Sequence, residues 1–214
     1  MGFDIIWILK TIPAAIIGLT VHEYSHALAS YKLGDFTAKE NGRLTLNPIK
    51  HIDPIGFLLI IIAGFGWVKP VTFNRENLKH KHRDEIIIAL AGPISNFILG
   101  FLFILIARVL FFIPFFSQTN NGIEIENLII LWGVINFGLG IFNLIPIPPL
   151  DGSHIYTTFI KDINENALKI IYKVGTWVLL IIVYIQNKGD IEIIPITPII
   201  SKITNTIITL LRFN

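Results

Sequence analysis

The sequence predicts an all-α, multi-spanning membrane protein with about five to six transmembrane helices and a small membrane-associated β element. Two observations support this fold class. Of the 214 residues, 53% are hydrophobic and only 15% are charged, whereas soluble domains carry about 25% charged residues. The apolar residues are also concentrated in stretches of about 20, the length that crosses a bilayer as a helix. This composition excludes a disordered chain and an ordinary soluble enzyme.

The apolar stretches predict the number of spans. Four of them have the length and composition of a spanning helix: 86–113, 127–147, 169–187 and 191–211. A fifth stretch, 4–30, is apolar but contains ionisable side chains. A shorter run, 55–67, is too short to span comfortably and is interpreted as a re-entrant or partly buried segment. We therefore expect five full spans, or six if 55–67 crosses, in one membrane-embedded domain covering 1–214.

Basic residues in the loops predict the orientation. Nine Lys and Arg residues lie between 32 and 84, and three more lie at 161–173. The loop 114–126 has two glutamates but no Lys or Arg. Because cytoplasmic loops carry an excess of Lys and Arg, we expect 32–84 and 152–168 to be cytoplasmic and 114–126 to be outside.

The 32–84 region also contains a predicted strand. Residues 42–48 alternate between polar and apolar types and end at an Asn-Pro pair, as a short strand bounded by turn residues does. Such a strand would offer an edge to which an extended substrate could add. The polar and basic segment 74–84 is interpreted as a loop in which His80 and His82 are solvated.

The pentapeptide HEYSH at 22–26 carries the main chemical signal. On a helix, His22 and His26 share one face because they are four residues apart. Both can therefore bind one metal ion, with Glu23 beside them as a general base. Ionisable groups inside a membrane are costly, so they indicate function by default. The alternative is a helix end at the interface with solvated His and Glu side chains.

A second motif, NLIPIPPLDG at 143–152, offers a third ligand. Two imidazoles leave a catalytic zinc ion one protein ligand short. Three prolines and a glycine break the helix here, and broken backbone at membrane depth is tolerated where it lines a cavity. Asp151 is the candidate ligand, His154 is its rival, and a plain helix cap is the alternative for Asp151. The chain has no cysteine, which excludes thiolate ligands and nucleophiles.

Together these motifs resemble the site-2 protease family of intramembrane zinc metalloproteases, also called peptidase family M50. HEYSH matches the family's HExxH, and 143–152 matches its N-x-x-P-x-P-x-x-D-G at every fixed position. Residues 91–96, AGPISN, resemble the Gly-Pro segment that opens the family's next core helix. The stretch 42–71 resembles a compact prokaryotic subgroup, and the sequence shows no PDZ or CBS domain.

This resemblance implies the roles of the site residues. His22, His26 and Asp151 bind one zinc ion per chain. Glu23 takes a proton from zinc-bound water and passes it to the leaving amine, and Asn143 steadies the substrate carbonyl or its oxyanion. The implied substrates are single-pass transmembrane proteins in the lipid bilayer of the cell membrane. The active site is expected towards the cytoplasmic side.

Two other side chains keep open roles at this point. His51 is interpreted as a loop histidine or as a residue that lines the entrance to the site. Asn96 either lines the same cavity or packs two helices together through an amide hydrogen bond.

Two other functions are alternatives to proteolysis. In a membrane transporter or metal permease, intramembrane His and Asp would form a transit site, and transporters often contain broken helices. Glu23 favours hydrolysis, because a transit site does not need a carboxylate beside a ligand histidine. An inactive relative that binds membrane partners is the third possibility, and the intact motifs argue against it. The net charge of +2 gives no bulk electrostatic reason to expect nucleic-acid binding.

Overall fold

The computed structural model describes residues 5–63, 68–188 and 193–211, and these form helices joined by turns. The helices are α1 Ile5–Lys32, α2 Thr37–Glu40, α3 Pro54–Ala63, α4 Lys81–Leu110, α5 Pro114–Gln118, α6 Asn120–Asn143, α7 His154–Ile163, α8 Glu165–Lys188 and α9 Ile196–Leu210. Three short 3-10 turns lie between them, at Pro48–Lys50, Arg75–Asn77 and Asp151–Ser153. The all-α prediction is confirmed.

Within the described ranges, four helices, α1, α4, α6 and α8, are long and apolar enough to cross a membrane. The chain is therefore a membrane protein, as predicted. The fifth full span that we expect at 191–211 is not borne out by the described residues. The stretch 191–211 contains only α9, whose 15 residues extend about 22 Å, less than the roughly 30 Å hydrocarbon core. Pro195 precedes the helix, and a residue before proline is disfavoured in the helical conformation. Residues 191–192 lie outside the described residues.

The short apolar run 55–67 forms α3 over its first part. Asp53 caps this helix, since its Oδ1 accepts hydrogen bonds from the backbone N–H groups of Ile55 at 3.0 Å and Gly56 at 2.9 Å. Its ten residues extend about 15 Å, half of what a span needs. Residues 64–67 lie outside the described residues, so the re-entrant course of the whole run stays a prediction.

Residues 42–48 do not form the expected strand. Asn47 instead caps the turn Pro48–Lys50 by accepting a hydrogen bond from the backbone N–H of Ile49 at 3.1 Å. This hydrogen bond joins groups only two residues apart and forms a turn. A strand would instead need hydrogen bonds to a neighbouring strand. Among the described residues there is no sheet, and β pairing is limited to one antiparallel bridge between Ile52 and Val68.

The core of the bundle is α4 packed against α1 and α6. Glycines permit the close approach, as small residues do at crossings of membrane helices. A Cβ added to Gly133 on α6 would lie 2.9 Å from the Gly100 carbonyl oxygen on α4, and one added to Gly18 on α1 would lie 2.6 Å from Asn136 Oδ1 on α6. Within this core, α1 carries the HEYSH motif at 22–26, and α6 ends at Asn143, where the second motif, 143–152, begins.

Candidate metal centre

Three side chains from the two motifs meet beside this core. His22 and His26 lie one turn apart on α1, and Asp151 begins the turn Asp151–Ser153 after α6. Asp151 Oδ2 lies 3.0 Å from His22 Nε2 and 3.3 Å from His26 Nε2, and the two Nε2 atoms are 3.0 Å apart. Within the described part of the chain, this is the one group of three His, Cys, Asp or Glu side chains close enough to hold a metal ion.

Asn96 determines how the His22 ring is oriented. It is fully buried on α4, and its Oδ1 lies 2.7 Å from His22 Nδ1. Its amide nitrogen donates to the Gly18 carbonyl oxygen at 3.1 Å. A carbonyl oxygen can only accept, so the amide oxygen of Asn96 must face His22. A neutral His22 therefore carries its proton on Nδ1 and directs the lone pair of Nε2 towards Asp151.

The second imidazole is oriented in the same way by backbone. His26 Nδ1 donates to the Ile88 carbonyl oxygen at 2.7 Å, which leaves a lone pair on Nε2 when the ring is neutral. The Oδ2 atom of Asp151 is buried and has no hydrogen-bond partner among the described residues. When both rings are neutral, two imidazole lone pairs and a carboxylate oxygen face one another without a proton between them. Such an arrangement is unfavourable unless a cation lies among them.

The separations of these atoms fit a metal ion of the size of zinc. Tetrahedral bonds of 2.0–2.1 Å place neighbouring ligand atoms about 3.3 Å apart, and the three observed separations are 3.0, 3.0 and 3.3 Å. Two His and one Asp also match the donor set of a catalytic zinc site that leaves one position open.

Gly92 on α4 provides the space where the two imidazoles meet. A Cβ added at this position would lie 2.4 Å from His26 Nε2 and 2.6 Å from His22 Nε2. Any other residue would therefore fill the space between the ligand atoms. The AGPISN resemblance had singled out this glycine, but its physical reason is visible only once α4 is packed against α1.

The loop after α6 folds back so that Asp151 can reach the histidines. A Cβ added to Gly152 would lie only 2.1 Å from the Leu144 carbonyl oxygen. Ser153 Oγ donates to the Leu150 carbonyl oxygen at 2.7 Å and holds the following turn. The glycine is thus required for a close backbone contact, which explains its position directly after the carboxylate.

Glu23 lies beside the three-residue group and does not belong to it. It is 6% exposed, and its Oε2 accepts a hydrogen bond from the backbone N–H of Val71 at 2.8 Å. Among the described residues, no hydrogen bond to the other carboxylate oxygen is found. One oxygen of the buried carboxylate is thus held by the backbone.

Two further candidates have local partners. Asn143, the last residue of α6, donates to the Leu139 carbonyl oxygen at 3.0 Å within its own helix, and its catalytic role stays a prediction. His51 is buried, and its Nε2 lies 2.8 Å from the Thr45 carbonyl oxygen. Of the two interpretations of His51, this contact favours a loop histidine that holds the 45–51 turn.

A second buried charged group, which the sequence reasoning missed, joins the start of α4 to α7. Arg75 Nε lies 3.1 Å from Glu85 Oε2, and its Nη1 pairs with Asp162. Glu85 Oε1 in turn lies 3.2 Å from His154 Nδ1. His154 therefore pairs with a carboxylate of α4 and is not in the group that contains Asp151. No local sequence pattern indicates this group, because its members are far apart in sequence.

His82 lies at the exposed edge of this group: its side chain is 39% exposed, so it is partly solvated as expected, but it also has partners on α7. Its Nε2 lies 3.1 Å from Asp162 Oδ2, and its ring stacks on Phe159 with centroids 4.6 Å apart. The reason is that α4 begins at Lys81 and presents His82 to α7. His80, one residue before the helix, is exposed as expected.

Comparison with known proteins gives relatives of one kind. The model of peptidase family M50 matches residues 117–182, which include Asp151. "Putative zinc metalloprotease YwhC" of Bacillus subtilis is 43% identical over 142 residues, 65% of this chain and 64% of that protein. "Putative zinc metalloprotease Rip2" of Mycolicibacterium smegmatis is 27% identical over 180 residues, 82% of this chain and 65% of that protein. The chain thus spans slightly less than two thirds of these two relatives. No solved structure matches.

Proposed function

The chain belongs to peptidase family M50, the site-2 protease family, and from this premise we propose that it is a zinc-dependent intramembrane endopeptidase. It hydrolyses peptide bonds in or near the transmembrane segments of single-pass membrane proteins. One observation carries the proposal: His22 Nε2, His26 Nε2 and Asp151 Oδ2 meet within 3.3 Å of one another, while Nδ1 of each ring faces a hydrogen-bond acceptor on the far side.

These three atoms would hold one zinc ion. Bound zinc supplies Lewis-acid chemistry, which makes water acidic enough to react near neutral pH and polarises a carbonyl group. Asn96 and the Ile88 carbonyl keep the two rings turned towards the ion, as outer partners of ligand histidines commonly do.

Glu23 acts as the general base and then as the general acid. It removes a proton from the attacking water while the new C–O bond forms at the scissile carbonyl carbon. It then gives this proton to the amine nitrogen as the C–N bond breaks. The position of Glu23 next to His22 on α1, its burial and the hydrogen bond that holds its Oε2 atom support this role. Asn143 would donate to the carbonyl oxygen as negative charge develops there.

The orientation and substrate class are further parts of the proposal. The basic residues of 32–84 favour a cytoplasmic location for this region. Val71, which contacts Glu23, lies within this region, so we infer that the active site opens towards the cytoplasmic side. Water reaches a site near that surface more easily than one at the bilayer centre.

The test is cleavage of a panel of single-pass membrane reporters by the purified protein in liposomes, beside Glu23→Gln. Bound zinc is quantified in both proteins. We expect the wild type to cleave at least one reporter, Glu23→Gln to cleave none, and each to hold one zinc ion per chain. Cleavage by Glu23→Gln would contradict its role as the base. Absence of zinc from both proteins would contradict the metal site.

A further inference from the structure

The irregular segment 68–74 contacts Glu23 through a single hydrogen bond. The backbone N–H of Val71 donates to Glu23 Oε2 at 2.8 Å, across 48 positions of sequence. We propose that this N–H group positions the Glu23 carboxylate for proton transfer, which makes Val71 a positioning residue. The inference rests on the proposed role of Glu23 as the base.

The chain before Val71 is anchored to the 43–52 loop. Lys69 N donates to the His51 carbonyl oxygen at 2.8 Å, next to the bridge between Ile52 and Val68. The Arg43 guanidinium donates to the carbonyl oxygens of Lys69 at 2.8 Å and Pro70 at 3.1 Å. The backbone N–H and carbonyl groups of Lys69 are therefore both hydrogen-bonded, and so is the carbonyl group of Pro70, the residue before Val71.

The chain after Val71 is anchored to the end of α1, the helix that carries Glu23. Asn74 N donates to Asp35 Oδ2 at 3.0 Å, and Ser30 Oγ on α1 donates to the same oxygen at 2.8 Å. Thr37 Oγ1 and Asn77 Nδ2 donate to Oδ1, each at 2.7 Å. Asp35 is fully buried, and this set of donors keeps it ionised. Through Asp35, the segment 68–74 is thus hydrogen-bonded to the end of α1, the helix that carries Glu23.

Anchoring at both ends favours a permanent restraint on Glu23. A glutamate side chain has three rotatable bonds, and holding a reacting group in its productive orientation can change a rate a hundredfold. The hydrogen bond from the Val71 N–H group occupies Oε2 and fixes the direction in which the carboxylate points. Oε1 is then left to face the water that reacts. The Val71 side chain plays no part in this bond, so any residue except proline would supply the same donor.

Three substitutions separate the N–H group from the side chain and from backbone strain. Val71→Pro removes the donor, Val71→Ala keeps it, and Thr72→Pro places the same ring one residue later. No hydrogen bond from Thr72 N is found in the described part of the chain. kcat and KM are measured on a reporter that the wild type cleaves, together with bound zinc. Glu23→Gln, which lacks the proposed base, gives the background value of kcat.

We expect Val71→Pro to lower kcat about 10- to 100-fold, with KM and bound zinc unchanged. Val71→Ala and Thr72→Pro should stay within about threefold of the wild type, because neither removes the hydrogen bond. Unchanged kcat in Val71→Pro, or an equal loss in Thr72→Pro, overturns the proposal. A higher kcat in Val71→Pro also overturns it, since the bond would then restrain the enzyme.

Arg43→Gln provides a second route if Val71→Pro does not fold. It loosens the anchor and leaves the Val71 N–H in place, and Lys79→Gln in the same basic region is the control for the lost charge. We expect a three- to tenfold loss of kcat, at about 1 kcal/mol, in Arg43→Gln alone. Equal kcat in both variants contradicts the positioning role.

Amide hydrogen exchange of the zinc-free protein tests the bond without activity. The Val71 amide should exchange more slowly than the Thr72 amide, because only the former donates to a buried acceptor. Equal exchange overturns the proposal. A wild type that cleaves no reporter contradicts the proposed function, whereas a wild type that cleaves while Val71→Pro keeps its kcat contradicts only the positioning role.

Discussion

His22 Nδ1 donates to Asn96 Oδ1 at 2.7 Å, across 74 positions of sequence, and this bond decides which nitrogen of the ring faces Asp151. Asn96 is itself held from the other side, since its amide nitrogen donates to the Gly18 carbonyl oxygen and to Asn136 Oδ1. Three helices thus contribute to the orientation of one imidazole. In a buried site without competing solvent, such an outer partner controls the ligand's geometry and basicity.

Replacing Asn96 by leucine should weaken zinc binding by about 10- to 100-fold, because the His22 N–H loses its acceptor. Asn96→Asp keeps an oxygen acceptor for His22 and should lose less. Zinc affinity is measured by competition with a chelator. Asn136→Leu should lose less than Asn96→Leu, since it removes one of the two acceptors that hold Asn96 and leaves the acceptor of the His22 N–H in place. Zinc affinity in Asn96→Leu equal to that of the wild type contradicts the assigned role.

Gly92→Ala should abolish zinc binding without unfolding the protein. Alanine is favoured over glycine in a helix by about 1 kcal/mol, but its Cβ would lie 2.4 Å from His26 Nε2. The expected result is normal helix content with no bound zinc.

Gly138→Ala is the matched control, because its new Cβ would meet only the terminal carbon of Ile200, at 3.2 Å. It should bind zinc normally. One zinc ion per chain in Gly92→Ala would show that the space beside the imidazoles is not needed.

The local parts of the site could be predicted from the sequence, and its long-range parts could not. Helical spacing brings His22 and His26 together, and the proline-rich break identifies Asp151. The contact between Val71 and Glu23 uses a backbone N–H, which every residue except proline has, so no residue type signals it. The strand expected at 42–48 was wrong because alternation does not reveal whether a partner strand is present. The turn that Asn47 caps forms there instead.

The buried charged group at α7 leads to a prediction about stability. Arg75 and Glu85 are both 6% exposed in their side chains, so removing Arg75 deprives the buried Glu85 carboxylate of its arginine partner and leaves it only His154 and Thr158. We expect Arg75→Met to lower the free energy of unfolding by about 3 kcal/mol. Combining it with Glu85→Gln should cost less than the sum of the single changes, since the two groups interact. Thermal unfolding in detergent measures this, and additive effects would show that the pair is not coupled.

Asp35 makes stability depend on pH, and the direction follows from its hydrogen bonds. Burial alone would raise its pKa, but the donors from Thr37, Asn77, Ser30 and the Asn74 backbone hold the pKa at about 2, below the ordinary 3.8. A carboxyl group with a lowered pKa stabilises the folded state above its unfolded pKa. This contribution, roughly 2 kcal/mol, is lost as the pH falls from about 4 through 2.

Asp35→Asn removes the ionisable group, so its stability should lack this pH dependence. The free energy of unfolding is compared for zinc-free wild type and variant at pH 5, 3 and 2, because zinc loss in acid would otherwise contribute. The difference should be largest at pH 5 and should shrink towards pH 2, where the wild-type carboxyl becomes protonated. A difference that is the same at all three values would mean that folding does not change the pKa of Asp35. In that case, the hydrogen bonds that tie Asp35 to the segment carrying Val71 would not favour its ionised form.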